Sequence, residues 1–295
     1  MAEARRRPLS LNAVVVGWVI ALFAITGIGM LPLFFYRLDL SKLTFSSRIP
    51  IIVGIGIELT AYAPTLAALL VAGLMPTGGG IRRLLRPVIR WRVGVHWYLI
   101  ALVGPSLLFL VGDVIRLAIG AALPASWLAI PSAAAVAFLV GALIAGSFGE
   151  EVGWRGLGQP RLQQRYGALW AAVLVGVIWS LWHLWPIAAP GGLSTTTWSE
   201  TSLTFIRLIS TSIVYAWLFN STRGSLLIVM LAHAGHNLAV RFVPPADSVQ
   251  HGDPIVTGLY VLVAVAVVVW AGSRWLSRIH EYPQPLCNTE GHAAT

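Results

Sequence analysis

Apolar residues run along this chain in long blocks and do not alternate with polar ones. Eight stretches, 12–36, 50–75, 97–121, 132–152, 168–187, 203–221, 223–241 and 254–273, are apolar over most of their length. A helix needs roughly 20 such residues to cross a hydrocarbon core. The pattern predicts an all-α, polytopic membrane protein with about eight transmembrane helices. Arg5, Arg6 and Arg7 before the first block imitate a signal peptide. The block is too long for one and no small-residue cleavage site follows, so it reads as an uncleaved first span. No repeat or low-complexity tract interrupts the series, and the tail after about Trp275 is short and polar. Residues 1–295 therefore read as a single integral membrane domain.

Composition agrees. Of 295 residues, 57% are apolar and 11% charged, with a mean hydropathy of +0.78, whereas a soluble domain is about half apolar and a quarter charged. A water-soluble globule, a disordered chain and a nucleic-acid binder are excluded as readings. The net charge of +9 belongs instead to loops on one side of a membrane. Arg5, Arg6 and Arg7, then Arg82, Arg83, Arg86, Arg90 and Arg92, then Arg155, Arg161 and Arg165, then Arg223, then Arg274 and Arg278 fall on the same side in an eight-span arrangement. The opposite loops hold Arg37, Lys42 and Arg48, with Arg241 at a span edge. This bias predicts both termini in the cytoplasm of an inner or plasma membrane. The scarcity of lysine, Lys42 alone, suggests a bacterial source, and the single Cys287 permits no intrachain disulfide. Residues 81–97 mix arginines with leucine, valine and isoleucine, which suits either a helix in the inner interface, its basic groups towards anionic head groups, or a solvated basic loop.

Ionisable groups inside spans are costly and so raise questions of function. Five places stand out. Glu150 and Glu151 close the fourth block; neighbours on a helix point about 100° apart, so they are expected to face different targets. Glu151 and Arg155 share a face in the favoured order for an ion pair, leaving Glu150 directed elsewhere. Gly141, Ala145, Gly149 and Gly153 form a small-residue stripe that admits a close neighbour. His183 follows Trp179 by four residues and also suits an aromatic belt. His233 and Asn237 share a helical face, with His236 a weaker candidate; helix–helix hydrogen bonding is the plain alternative. Asp113 and Arg116 read as a structural ion pair. Glu58 either lines a cavity or pairs with an arginine.

Glu150 and His183 lie almost equally far from Gly167, taken as the turn of a helical hairpin, which puts them at similar depth. The helix of the fourth span is then expected to run on past Arg155, with a break at Pro160. A carboxylate and a histidine at one depth can bind and deprotonate a water, while His233 and Asn237 stabilise the oxyanion of a tetrahedral intermediate. That combination suits amide hydrolysis. Zinc is the alternative, with Glu150, His183 and His233 as three ligands and water as the fourth. Neither H-E-x-x-H nor G-x-S-x-G occurs.

Glu150-Glu151-x-x-x-Arg155, Trp179-x-x-x-His183 and His233-x-x-x-Asn237 together resemble the CPBP family, the CAAX-protease and bacteriocin-processing (Abi) intramembrane endopeptidases. The motifs fill a core of about 132–243. Trp179 stands where the family commonly has phenylalanine, and the first 130 residues carry no matching motif. The resemblance implies an intramembrane endopeptidase in which Glu150 and His183 activate water. It also implies that His233 and Asn237 form the oxyanion site, with Glu151 and Arg155 in support. It favours a reaction without a required cofactor, with zinc or another divalent metal as the alternative. The expected substrate is an extended peptide or membrane-anchored segment; the CAAX specificity of eukaryotic relatives is not carried over. The competing readings are a transporter or channel using the intramembrane charges, and a non-catalytic immunity or binding protein. Matching halves with broken helices, which a carrier suggests, are not seen.

Overall fold

The structure is a computed structural model that describes residues 11–39, 42, 48–75, 80–121, 141, 146–192, 196–243 and 253–283. Among the described residues every regular element is helical. In chain order these are α1 (Leu11–Phe35), α2 (Ile51–Ala61), α3 (Ala63–Gly73), α4 (Gly80–Leu85), α5 (Val95–Ala118), a composite α6, α7 (Ala168–Trp182), α8 (Trp198–Ser221), α9 (Leu226–Phe242) and α10 (Pro254–Ala271). The composite α6 joins Gly149–Glu151, a π-helical Val152–Gly158 and Gln159–Tyr166 without a gap.

Among the described residues, five helices are long and apolar enough to cross a membrane. They bury one side and leave large apolar side chains uncovered on the other. On α1, Val14, Trp18 and Leu22 are buried while Val16, Ile20 and Phe35 are exposed. Apolar surface that no protein covers is what a lipid-facing helix presents. This is a membrane protein.

The described residues depart from eight uniform spans. The second predicted span is two helices, α2 and α3, bent by 67°. Pro64 sits in the first turn of α3, where a residue without an N–H starts a helix readily and cannot continue one. The pair counts as a sixth crossing if it is one broken span. The seventh predicted span is the 17-residue α9, which at 1.5 Å per residue is only about 25 Å long. The fourth, 132–152, lies largely outside the described residues. The hairpin turn does form at Gly167, whose φ is +78°, a left-handed value that glycine adopts without steric cost.

The core is built where α3, α6, α7 and α9 meet. The largest buried cluster joins Trp18 and Leu22 of α1, Ala67 and Ala68 of α3, Trp154 and Leu157 of α6, Trp179 and Trp182 of α7, and Ile228 and Val229 of α9. Polar ties are few and specific. Trp18 Nε1 donates to the Pro64 carbonyl over 3.1 Å, fixing α1 to the start of α3. Thr65 Oγ1 donates to the Phe148 carbonyl over 2.8 Å, fixing α3 to the segment entering α6.

Candidate active site

Three glycines, at 153, 156 and 158, thin the π-helical part of α6. The stripe does what small residues are expected to do: a β-carbon at Gly153 would lie 2.4 Å from the Pro64 carbonyl oxygen, and one at Gly149 3.1 Å from that of Ala61. Backbone therefore packs directly on backbone, and α6 is held against the bend between α2 and α3. The same helix turns Glu150, Glu151, Trp154 and Arg155 inward, all buried.

The two glutamates differ sharply. Glu151 has no exposed side-chain surface; it pairs with Arg155 at 3.2 Å, as the four-residue spacing predicts. Arg155 is equally buried, its guanidinium 5.0 Å from the Trp179 ring and 5.2 Å from the Tyr215 ring. Its Nε and Nη2 have no hydrogen-bond partner among the described residues, so the aromatic faces supply much of its surroundings. Glu150 keeps 9% of its side-chain surface. Its Oε2 accepts from the indole N–H of Trp179 at 2.6 Å and of Trp154 at 3.2 Å. One oxygen is thus pinned, and the other, Oε1, turns towards His233 Nε2 at 3.8 Å.

His233 links both acids. Its Nδ1 lies 2.8 Å from Glu151 Oε1. A carboxylate only accepts, so Nδ1 carries the proton there and Nε2 faces Glu150. At 3.8 Å the Glu150–His233 gap exceeds a hydrogen bond and has room for a bridging water. This corrects the expectation that the glutamates face different targets. Imidazole presents donors or acceptors on two edges, and α6 is widened by π turns beside the pair, so one ring meets both.

His183 sits just past the end of α7, half-buried, with its ring 5.6 Å from Trp179 and 4.9 Å from Trp182. Its Nδ1 is 3.2 Å from the Trp179 carbonyl; that contact makes Nδ1 the donor and leaves Nε2 as the acceptor. No hydrogen bond joins His183 to Glu150 among the described residues. Trp179 stands between them, its ring also 5.6 Å from His233. Asn237 lies one turn beyond His233, its amide nitrogen 3.2 Å from where a β-carbon at Gly146 would be. His236 turns away, its Nδ1 2.6 Å from the Tyr260 hydroxyl.

The remaining candidates are structural. Asp113 and Arg116 pair at 3.9 Å, and Arg116 also binds Asp253, whose other oxygen caps α10 by accepting from Ile255 and Val256 N–H. Glu58 lines a shallow cavity of about 530 Å³ with Ile55, Tyr62 and Leu66. Sequence reasoning overlooked Trp154, Trp179 as a donor, and Tyr215. Trp154 carried a signal, since it is one helical turn after Glu150; Tyr215, on a separate helix, carried none.

A zinc centre was the alternative for Glu150, His183 and His233. Among the described residues no group of three or more His, Cys, Asp or Glu side chains is placed to hold a metal ion. The indoles on Glu150 Oε2 and the carboxylate on His233 Nδ1 leave Oε1 and Nε2 free, but His183 is not grouped with them, so this donor set does not fit a three-ligand centre as arranged. No step below passes through a metal.

Residues 130–239 match the family model described as type II CAAX prenyl endopeptidase Rce1-like. The chain is 30% identical over 142 residues to the CAAX prenyl protease 2 of Methanococcus maripaludis, covering 46% of this chain and 51% of that relative. It thus spans about half the length of the curated relative it matches. The matched segment contains Glu150, Glu151, Arg155, Trp179, His183, His233 and Asn237, and over it the chain is similar to that family.

Proposed function

We propose that this protein is an intramembrane endopeptidase that hydrolyses a peptide bond in a membrane-associated protein or peptide, with Glu150 as the base. The observation that carries the reading is the asymmetry of that carboxylate: Oε2 held by two indole N–H groups, Oε1 facing His233 Nε2 at 3.8 Å. An acid fixed by one oxygen presents the other in a set direction, which is what a general base needs.

In the proposed reaction Glu150 Oε1 takes a proton from a water as its oxygen attacks the scissile carbonyl carbon. His183, through Nε2, is the second group that binds that water. His233 as an imidazolium, with N–H at both Nδ1 and Nε2, and Asn237 donate to the oxyanion of the tetrahedral intermediate. Collapse breaks the C–N bond, and Glu150 returns its proton to the leaving amine. Glu151 and Arg155 take no part in proton transfer. They hold the His233 ring through its Nδ1–H so that Nε2–H points at the reacting groups. Burial among α3, α6, α7 and α9 limits bulk water and strengthens these interactions.

The test is cleavage of a quenched fluorescent peptide library by detergent-purified protein, for wild type, Glu150→Gln and His183→Ala, each with and without chelator. Activity in wild type that is abolished by Glu150→Gln, strongly cut by His183→Ala and indifferent to chelator supports the proposal. Activity abolished by chelator and restored by zinc would replace the glutamate-base mechanism with a metal one. Full activity in Glu150→Gln would overturn it.

A further inference from the structure

A second cavity, of about 390 Å³, opens on the side of the molecule that carries the basic excess. Four guanidinium groups line it, those of Arg83, Arg86, Arg90 and Arg223, against one carboxylate, Glu281. Its floor is formed by Gly156 and Pro160 of α6. The arginines come from two separate segments. Arg83 belongs to α4, Arg86 to the 3₁₀ turn Arg86–Ile89 that follows it, and Arg90 caps the end of that turn. Arg223 belongs to the tight turn between α8 and α9, where it adopts φ +54° and Gly224 +85°.

That turn is clasped. Arg90 Nη1 donates to the Arg223 carbonyl, Ser225 Oγ donates to the Arg90 carbonyl over 2.6 Å, and the Gly224 N–H closes the turn on the Phe219 carbonyl at 2.7 Å. Two basic segments distant in sequence are thereby fixed side by side. Like charges gathered in one concave, pinned site cost energy unless an anion enters, and planar guanidinium groups suit phosphate oxygens. Among the described lining residues, guanidinium groups outnumber carboxylates. The segment beside the cavity exposes Ile81, Ile89 and Trp91, at 44%, 75% and 60% of their surface. Apolar and aromatic groups beside a basic cavity are what a membrane interface selects.

We propose that this cavity binds a phosphate group, presented by the head group of an anionic phospholipid. The site is separate from Glu150 and does not depend on peptide hydrolysis. Arg86 and Arg223, from two segments distant in sequence, are the paired ligands, and Arg90 positions the turn that carries one of them.

The test compares wild type with Arg86→Gln/Arg223→Gln and with Arg82→Gln/Arg92→Gln. The second pair removes the same charge from outside the cavity lining. Each protein is reconstituted with phosphatidylglycerol and phosphatidylcholine, washed in detergent and weighed intact by native mass spectrometry. Thermal stability is read in parallel with inorganic phosphate alone. Retention of phosphatidylglycerol by wild type and the outer pair, with several-fold less in the cavity pair, supports the proposal. Equal loss in both pairs would show diffuse surface charge, and equal retention in all three would exclude the cavity; either overturns it. Stabilisation by inorganic phosphate in wild type and not in the cavity pair, without lipid retention, would keep the phosphate site and overturn the lipid as its source.

Discussion

At the scale of single residues the site is a set of partners chosen for Glu150. The 2.6 Å bond from Trp179 is directed at an ionised group, and such bonds contribute about 1.5–3 kcal/mol. Trp179→Phe keeps the ring and removes the donor. It is expected to lower kcat/KM by about 10- to 100-fold while leaving the thermal midpoint nearly unchanged, measured on the best peptide from the library. Arg155 is a different case, because its charge and that of Glu151 are both fully buried. Arg155→Met leaves the buried Glu151 with His233 alone as a partner among the described residues and is expected to cost about 3–5 kcal/mol, read as a fall in the detergent unfolding midpoint. Adding Glu151→Gln should recover much of that stability without restoring activity, since His233 would then lose the carboxylate that holds its Nδ1–H. Recovery of both would show that the pair is structural alone.

At the scale of elements, α6 decides the geometry. The spacing of Glu151 and Arg155 was readable in the sequence, because four residues make about one turn and the partners are local. The meeting of both glutamates on one imidazole was not. It needs the π-helical turns of Val152–Gly158 and an α9 delivered from far along the chain. The glycine stripe was legible as a docking face, but its partner, the bend at Pro64, was not. Gly153→Ala places a β-carbon 2.4 Å from the Pro64 carbonyl oxygen. Backbone cannot give way as a side chain can, so a destabilisation of about 1–3 kcal/mol is expected. Activity should fall with it, because α6 must shift. An unchanged unfolding midpoint in Gly153→Ala would contradict that close packing.

At the scale of the whole molecule, the arginine distribution and the lipid-facing surface make the same prediction about topology. With Cys287 replaced by serine, single cysteines placed at Arg82 and at Arg278 should react with a membrane-impermeant thiol reagent from the cytoplasmic side. A cysteine at Arg37 should react from the opposite side. Labelling of Arg37 and Arg82 from one side would refute the orientation and the span count behind it.

The sequence by itself determined that the chain is a helical membrane protein, and which polar residues are costly enough to need a reason. Those properties depend on composition and on spacing within one helix, and both are local. It also supplied the Glu151–Arg155 pair and the turn at Gly167, for the same reason. The tertiary structure alone decided which groups surround Glu150. Trp179 and His233 reach it from α7 and α9, whereas Trp154 of its own helix follows from the spacing, and no periodicity within one helix records how three helices are rotated against each other. It likewise decided the division of the second span, the inclusion of Asp253 with Asp113 and Arg116, and the joining of Arg86 with Arg223. Each of these unites residues distant in sequence through packing, and packing is set by the shapes of all the helices at once.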